Sequence, residues 1–179
     1  MQANPLYWGT TENARNTFIR DSLINAGYDV SDQSLSGISA GGKQPGELDI
    51  LIRKEGGIPW TIYEGLILTG AGESQLTYWD KHLQKLLDNY NENGLPFLVL
   101  VSYVTCSKDR FSEMSKIYIE HIRTFCLQKY TFQSMCAVDL DPDNHEFPHY
   151  LQAVKSTYDC GGFQTHVYQL FVRMNQKNT

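Results

Sequence analysis

The sequence lacks the cysteine spacing of a structural metal site or a disulfide framework. Its four cysteines, Cys106, Cys126, Cys136 and Cys160, are widely separated and form no C-x-x-C pair. Zinc fingers, zinc ribbons and small disulfide scaffolds need closely paired cysteines, or cysteines paired with histidines. We therefore expect reduced thiols, which are typical of a cytoplasmic protein.

The chain also lacks a long apolar run and an excess of positive charge. No run approaches the ~18 apolar residues that a membrane span needs, and the stretch MQANPLYWGTTENARN lacks the basic and apolar regions of a secretory signal. The formal net charge is -5 and the pI is about 5.5. This balance argues against nonspecific coating of nucleic acid, although a local basic channel is compatible with it. We expect no membrane contact and a cytoplasmic location.

What the sequence does contain is enough apolar residues for one core. The 179 residues are 41% hydrophobic and 12% aromatic, which predicts a single domain over 1–179. Periodicity and capping residues predict helices over about 11–26, 74–91, 111–127 and 148–158. Extended patterns predict strands over about 28–30, 47–53, 59–68, 97–104, 134–139 and 166–174. This order predicts an α/β fold with a mixed central sheet flanked by helices on both faces.

One loop has the spacing of a phosphate-binding P-loop. Gly37, Gly42 and Lys43 match G-x-x-x-x-G-K. A working P-loop needs a Ser or Thr after the lysine and a helix immediately downstream. Here Gln44 follows the lysine, and the next segment is a predicted strand. We interpret the stretch as a loop whose glycines permit tight turns, and not as a nucleotide site.

The predicted hairpin brings two acids together. If Gly56 and Gly57 are the central residues of a tight turn, the numbers of paired residues sum to 113, which places Asp49 opposite Glu64. Opposed carboxylates on one face repel unless a shared proton or a cation intervenes. Two carboxylates suit magnesium or manganese. The alternative is a slipped register, in which each acid pairs with a nearby lysine or arginine.

Glu12 is a candidate third acid. It lies at the start of the core-facing stripe of the first predicted helix, on the side expected to cover the hairpin. The alternative for Glu12 taken alone is that it complements the helix dipole from the first turn.

The order of these acids resembles the PD-(D/E)xK nuclease superfamily. The helix acid is Glu12, the middle aspartate is Asp49 in GELDILI, and the third acid is Glu64 in YEGLIL. The resemblance implies a restriction-endonuclease-like fold with its core over about 10–104, and a C-terminal part that completes the sheet. It also implies Mg²⁺ or Mn²⁺ held by Asp49 and Glu64, and hydrolysis of phosphodiester bonds, with DNA rather than RNA as the nucleic-acid partner.

Two positions depart from the family pattern. Leu48 precedes Asp49 where proline is usual, a change that a variable family tolerates. Leu66 stands where the family has the lysine that positions the attacking water, two residues after Glu64.

A lysine from elsewhere could replace the missing one. Lys43 is our first candidate, because its loop leads into the strand that bears Asp49. His82 is the second candidate, at the margin of the core stripe of the next helix. Lys81 and Lys85 are expected to face solvent. If no lysine reaches the acids, the fold is a catalytically degenerate module for nucleic-acid binding or protein assembly.

The runs GKQPGELDILI and YEGLIL are also similar to nuclease-like domains of bacterial antiviral NTPase systems. This similarity implies an effector domain in antiviral defence, with other domains or subunits of a larger complex as partners. A homo-oligomer is also expected.

Three other features have a plain interpretation. Residues 139–149, DLDPDNHEFPH, lack the glycine and glutamate positions of an EF-hand, so a solvated acidic loop is expected rather than a metal site. Cys160 is expected to be a buried or half-buried thiol beside a turn. A set of aromatic residues is expected to lie mostly in the core, while base stacking is the alternative for those near the hairpin: Trp60, Tyr63, Tyr78, Trp79, Tyr90 and Tyr103.

Overall fold

The computed structural model describes residues 11–32, 35–36, 46–47, 49–140 and 147–174. Within them the α-helices are α1 (Glu12–Asn25), α2 (Glu73–Gln84) and α3 (Lys108–Ile122). The strands there are β1 (Asp29–Asp32), β2 (Leu35–Ser36), β3 (Gly46–Glu47), β4 (Ile50–Arg53), β5 (Pro59–Leu68), β6 (Phe97–Thr105), β7 (Thr131–Ala137), β8 (Leu151–Cys160) and β9 (Phe163–Met174). A π-helical turn, Lys85–Tyr90, continues α2, and a 3₁₀ turn, Phe147–His149, precedes β8. No helix in these ranges is both long and apolar enough to cross a membrane.

The strands confirm the predicted α/β class with a mixed sheet. Over the described residues, seven strands form one sheet in the order β1-β4-β5-β6-β9-β8-β7, and β2 pairs separately with β3. β6 is central and runs parallel to both neighbours, β5 and β9. The remaining pairs of the large sheet are antiparallel. The nearly continuous burial of β6 agrees with its apolar sequence FLVLVSYV.

The first helix begins and ends where its capping residues predict. The side-chain oxygen of Thr11 accepts a hydrogen bond from the backbone N–H of Ala14 at 3.3 Å, which caps the N-terminus. Gly27 follows the helix with φ of 89°, a left-handed conformation that glycine adopts without steric cost.

The hairpin between β4 and β5 has the predicted register at its far end, although the predicted turn was wrong. The backbone N–H of Lys54 donates to the carbonyl of Ile58 at 2.8 Å, so three residues, not two, form the turn. A register shift between Ile52 and Arg53 then adds one residue on β5. The two departures cancel, and Ile50 pairs with Tyr63 as predicted.

Alternate residues of β5 enter two different hydrophobic clusters. The larger cluster contains Ile62, Leu66 and Leu68 together with buried residues of the helices α2 and α3, among them Trp79 and Phe111. The smaller cluster consists of buried residues from β4, β5, β6 and β9, with side chains of α1 packed against it. Its buried members are Ile50, Ile52, Tyr63, Val101, Tyr103 and Met174.

Part of the predicted secondary structure was wrong. The segment predicted as a helix over 148–158 is mostly strand β8, because β8 pairs along its whole length with β9 and over 154–159 with β7. Helix α3 begins and ends earlier than the predicted 111–127, and the predicted helix 74–91 changes to π-helical geometry at Lys85. Strand pairing in the sheet therefore overrides a local pattern that a helix could also satisfy.

We predict that Gly65→Ala destabilises the protein by about 1–3 kcal/mol, the usual cost of an added methyl in a tightly packed site. A Cβ at Gly65 would overlap the side-chain oxygen of Asn16 and lie 3.1 Å from the hydroxyl of Tyr63. Gly70→Ala is the control, since its nearest neighbour, Gln75 Cγ, would be 3.9 Å away. Equal free energies of unfolding for the two variants in denaturant would contradict this packing.

Candidate functional site

Asp49 lies immediately before β4, at the end of the hairpin away from the turn. Its Oδ2 accepts a hydrogen bond from the backbone N–H of Gly65 on β5 at 2.8 Å. Burial, and next the negative charge of Glu64, raises the pKa of Asp49 to about 7. Asp49 is therefore a carboxyl group that exchanges its proton near neutral pH.

Glu64 is the most buried charged side chain of the site, with no exposed surface. Its Oε1 lies 2.8 Å from Nδ1 of His82 and 3.0 Å from Nζ of Lys85, both from the helical segment that follows β5. Its Oε2 is buried and has no hydrogen-bond partner among the described residues. One oxygen of this carboxylate thus has two partners, and the other is a buried acceptor whose hydrogen-bonding capacity is unused.

Lys85 contradicts the expectation that it faces solvent. Its ammonium donates to Glu64 and lies 4.8 Å from the centre of the Tyr90 ring. Burial alone would lower the pKa of Lys85, but the charge of Glu64 and hydrogen bonds to Tyr90 and Glu64 outweigh this effect and raise it. The π-helical turn begins at Lys85, and π-turns frequently occur at functional sites. Lys81 is exposed, as predicted.

A polar stripe on α2 is the sequence signal that could have located Lys85. Tyr78, His82 and Lys85 have i, i+4 and i+7 spacing, so they share one side of a helix. The rings of Tyr78 and His82 are in edge contact, with centroids 4.7 Å apart. The stripe borders the apolar one, and a lysine stem is long enough to reach inward from that border.

Glu12 joins the same site from the first turn of α1. Its Oε2 accepts a hydrogen bond from the hydroxyl of Tyr78 at 3.3 Å. Its negative charge also contributes, as a small effect, to the raised pKa of Asp49. The structure therefore brings together Glu12, Asp49 and Glu64, and it places His82 beside them. Lys43 lies outside the described residues.

The donor set fits a divalent cation only in part. In the described ranges no three His, Cys, Asp or Glu side chains form a group that could hold a metal ion. Magnesium, however, usually keeps several waters and takes only one or two protein carboxylates. Asp49, whose charged form is disfavoured without a cation, and the unpartnered Oε2 of Glu64 supply such a pair. The fit therefore depends on water, backbone or phosphate oxygens for the remaining ligands.

The other candidate features add no ligand to this site. Asp139 is exposed, and residues 141–146 of the acidic loop lie outside the described part of the chain. Cys160 is half-buried, as predicted, and all four cysteines are free. Trp79, Tyr90 and Tyr103 are core residues, as predicted.

No protein-family model, curated protein or solved structure matches this chain. The candidate site consists of three acids from α1, the β4 end and β5, together with one lysine from the segment after α2.

We predict that Asp49→Asn stabilises the metal-free protein at pH 8. The pKa of Asp49 is about 3.9 in the unfolded chain and about 7 in the folded one. The free energy of unfolding of the protein therefore decreases as pH rises between these values. The amide removes this loss, a gain of about 2 kcal/mol after allowance for partial exposure. The melting temperature with EDTA should rise by about 4–8 °C at pH 8, and by less at pH 5. Equal destabilisation at both pH values would contradict the raised pKa.

Proposed function

We propose that this chain is a metal-dependent phosphodiesterase of the PD-(D/E)xK type that hydrolyses DNA. The fold proposed with it is restriction-endonuclease-like, with helices on both faces of the sheet. Alternate residues of β5 pack in two clusters, one with α2 and α3 and the other with α1, which supports this arrangement. A role as an effector domain in a larger antiviral complex is part of the proposal and draws on the sequence resemblance alone.

The contact between Lys85 and Glu64 is the observation that carries the proposal. The family places a lysine two residues after the third acid, where this chain has the fully buried Leu66. Lys85 brings an ammonium to Glu64 from the neighbouring helical segment, 3.0 Å from the carboxylate. It therefore supplies a positive charge at the acid where the family needs one. The candidate role of Lys43 stays a prediction.

Each residue of the site has a proposed role. Asp49 and Glu64 would hold Mg²⁺ or Mn²⁺, which would supply charge to polarise the phosphate and to lower the pKa of a bound water. Lys85 donates a hydrogen bond toward the attacking water or the developing negative charge on the phosphate. His82 positions Glu64 through Oε1, and Tyr78 holds Glu12 beside the pair.

We predict that plasmid nicking with Mg²⁺ or Mn²⁺ is abolished by Asp49→Ala and by Glu64→Ala. Lys85→Ala should lower the nicking rate by about 100- to 1,000-fold, the usual effect of removing one donor that stabilises developing charge. Lys81→Ala is the matched control, because Lys81 is on the same helix and exposed. Its nicking rate should equal that of the unchanged protein.

Stability is measured beside activity, because Lys85→Ala leaves a buried carboxylate with less compensation. Lys85→Arg keeps a positive charge near Glu64, so it should remain folded while nicking more slowly, since a guanidinium and an ammonium are not interchangeable. A folded Lys85→Ala protein that nicks at the unchanged rate would remove Lys85 from the proposed mechanism.

The second candidate function is a noncatalytic binding or assembly module on the same fold. The ion pair between Glu64 and Lys85 favours it, because a lysine can neutralise a buried acid without any metal. Only the enzyme requires a divalent cation at Asp49 and Glu64. Metal binding and nicking together therefore separate the two functions.

We predict that Mg²⁺ or Mn²⁺ raises the melting temperature at pH 8. At a metal concentration about a hundredfold above Kd, the free energy of unfolding should increase by about 2.7 kcal/mol. For a chain of this size, that raises the melting temperature by about 5–10 °C. Asp49→Asn should abolish the gain, whereas Glu55→Gln, an exposed acid in the turn of the same hairpin, should retain it. No shift in the unchanged protein, with no heat of binding in calorimetry, would favour the noncatalytic module.

A further inference from the structure

A β-bulge turns Trp60 out of its regular orientation. Ile52 pairs with Thr61 and Arg53 pairs with Pro59, so Trp60 is the extra, unpaired residue of β5. In a strand without a bulge, Trp60 would lie on the same face as Ile62, which belongs to the larger cluster. Instead Trp60 packs against the smaller cluster. Bulges commonly re-aim a side chain in this way, and they are over-represented near active sites.

The re-aimed indole meets a second, exposed aromatic ring. Tyr28 comes directly after Gly27, the left-handed glycine that follows α1, and the residue is 44% exposed. The rings of Tyr28 and Trp60 are nearly parallel, at 15°, with centroids 6.3 Å apart. The edge contact of Phe97 with Trp60 supports the indole from the sheet. The two rings therefore form one stacked pair at the surface, in which Tyr28 is exposed and Trp60 is half-buried.

Two basic residues and two acids lie beside these rings. The Lys54 ammonium is 5.8 Å from the centre of the Trp60 ring, and Arg53 donates a hydrogen bond to the Ser31 hydroxyl at 2.9 Å. Arg53, Lys54 and the two aromatic residues line a cleft of about 520 Å³, and two acids lie in the same lining. The cleft is lined by Gly27, Tyr28, Asp29, Arg53, Lys54, Glu55 and Trp60. Asp29 lies 4.0 Å from Arg53 and offsets its charge, and Glu55 formally balances the second cation, Lys54, whose ammonium lies next to the indole.

We propose that this cleft binds a base and an adjacent phosphate of single-stranded nucleic acid. Aromatic faces stack on any base, and a nearby lysine pairs with the phosphate. The inference rests on the proposed function for the identity of the polymer, and it adds the strandedness of that polymer. Trp60 is four residues from Glu64 along β5, about 13 Å at the rise of a strand. The bulge places Trp60 on the face of the smaller cluster, whereas Glu64 contacts His82 and Lys85 on the opposite face of the sheet, so the cleft is a binding site separate from the acids.

The test is fluorescence anisotropy of a short labelled oligothymidine with EDTA present, so that no cleavage occurs. An abasic oligomer of equal length and charge is the second probe. The unchanged protein should bind oligothymidine at least about fivefold more tightly than the abasic probe, since stacking of one base supplies that factor or more. Tyr28→Ala should weaken oligothymidine binding by about fivefold or more, and Tyr28→Phe, which keeps the ring face, should restore it.

Phe163→Ala is the control, because Phe163 is 45% exposed but lies at the β8–β9 turn. It should bind as the unchanged protein does. A plot of the logarithm of the affinity against the logarithm of the salt concentration should have a slope near -0.7, the value for a single phosphate contact. Lys54→Ala should bring this slope closer to zero. Equal binding of both probes, or unchanged binding by Tyr28→Ala, would overturn the inference.

The outcome is separable from that of the proposed function. If the unchanged protein nicks no plasmid but Tyr28→Ala loses oligothymidine binding, the cleft is supported and the nuclease is rejected. Nicking that depends on Asp49, together with unchanged binding by Tyr28→Ala, would support the nuclease and reject the cleft.

Discussion

The buried carboxylate of Glu64 is the interaction on which the arrangement of the site depends. A charged group without exposed surface is costly unless partners compensate it, and removal of one partner of a buried ion pair commonly costs about 3–5 kcal/mol. Both partners, His82 and Lys85, come from the segment that packs on β5. The ion pair therefore specifies how this helical segment sits on the strand, in a way that apolar packing of Trp79 and Leu83 alone does not. The fold and the proposed function share this requirement.

Gly65 extends the requirement from the acids to α1. Its backbone N–H holds Asp49 in place, while the absence of a side chain allows Asn16 of α1 to approach closely. Asn16 in turn accepts a hydrogen bond from the Tyr63 hydroxyl at 3.4 Å. One residue of β5 thereby fixes an acid of the site and the position of the helix that carries Glu12. A side chain at this position would disturb both.

The sequence could predict features that depend on local patterns. The cap at Thr11, the strands β5 and β6 and the meeting of Asp49 with Glu64 follow from capping, alternation and hairpin arithmetic. The arithmetic succeeded because a bulge compensated a longer turn, and nothing in the sequence specifies such a bulge. Strand β8 was missed because its local pattern is also compatible with a helix, and the signal that could have identified it is the tight turn Gly161-Gly162, across which Cys160 pairs with Phe163 of β9.

Lys85 was missed for a different physical reason. Helical periodicity places a Cα on a face but does not state how far a long side chain reaches, and the change to π-helical geometry at Lys85 alters the face itself. The sequence offered one indication of Lys85. Glu64 is an acid in an apolar strand, and Leu66 stands where a partner lysine is expected. This acid required a cation, and only the three-dimensional structure shows which lysine is near enough to be that cation.

The balance of charge in the site then decides what else it can hold. Glu12, Asp49 and Glu64 would carry three negative charges, which Lys85 at Glu64 and the buried Arg15 near Glu12 offset only in part, in a place where water screens them weakly. The protein relieves this excess by keeping a proton on Asp49 up to a pH of about 7. A divalent cation would relieve it in the same way, so proton and cation compete for the same carboxylate. If the proposed cation binds here, its affinity would therefore increase as pH rises through about 7, and binding below that pH would release a proton. In the proposed enzyme, the same repulsion that makes the acids costly for the fold would favour binding of the cation.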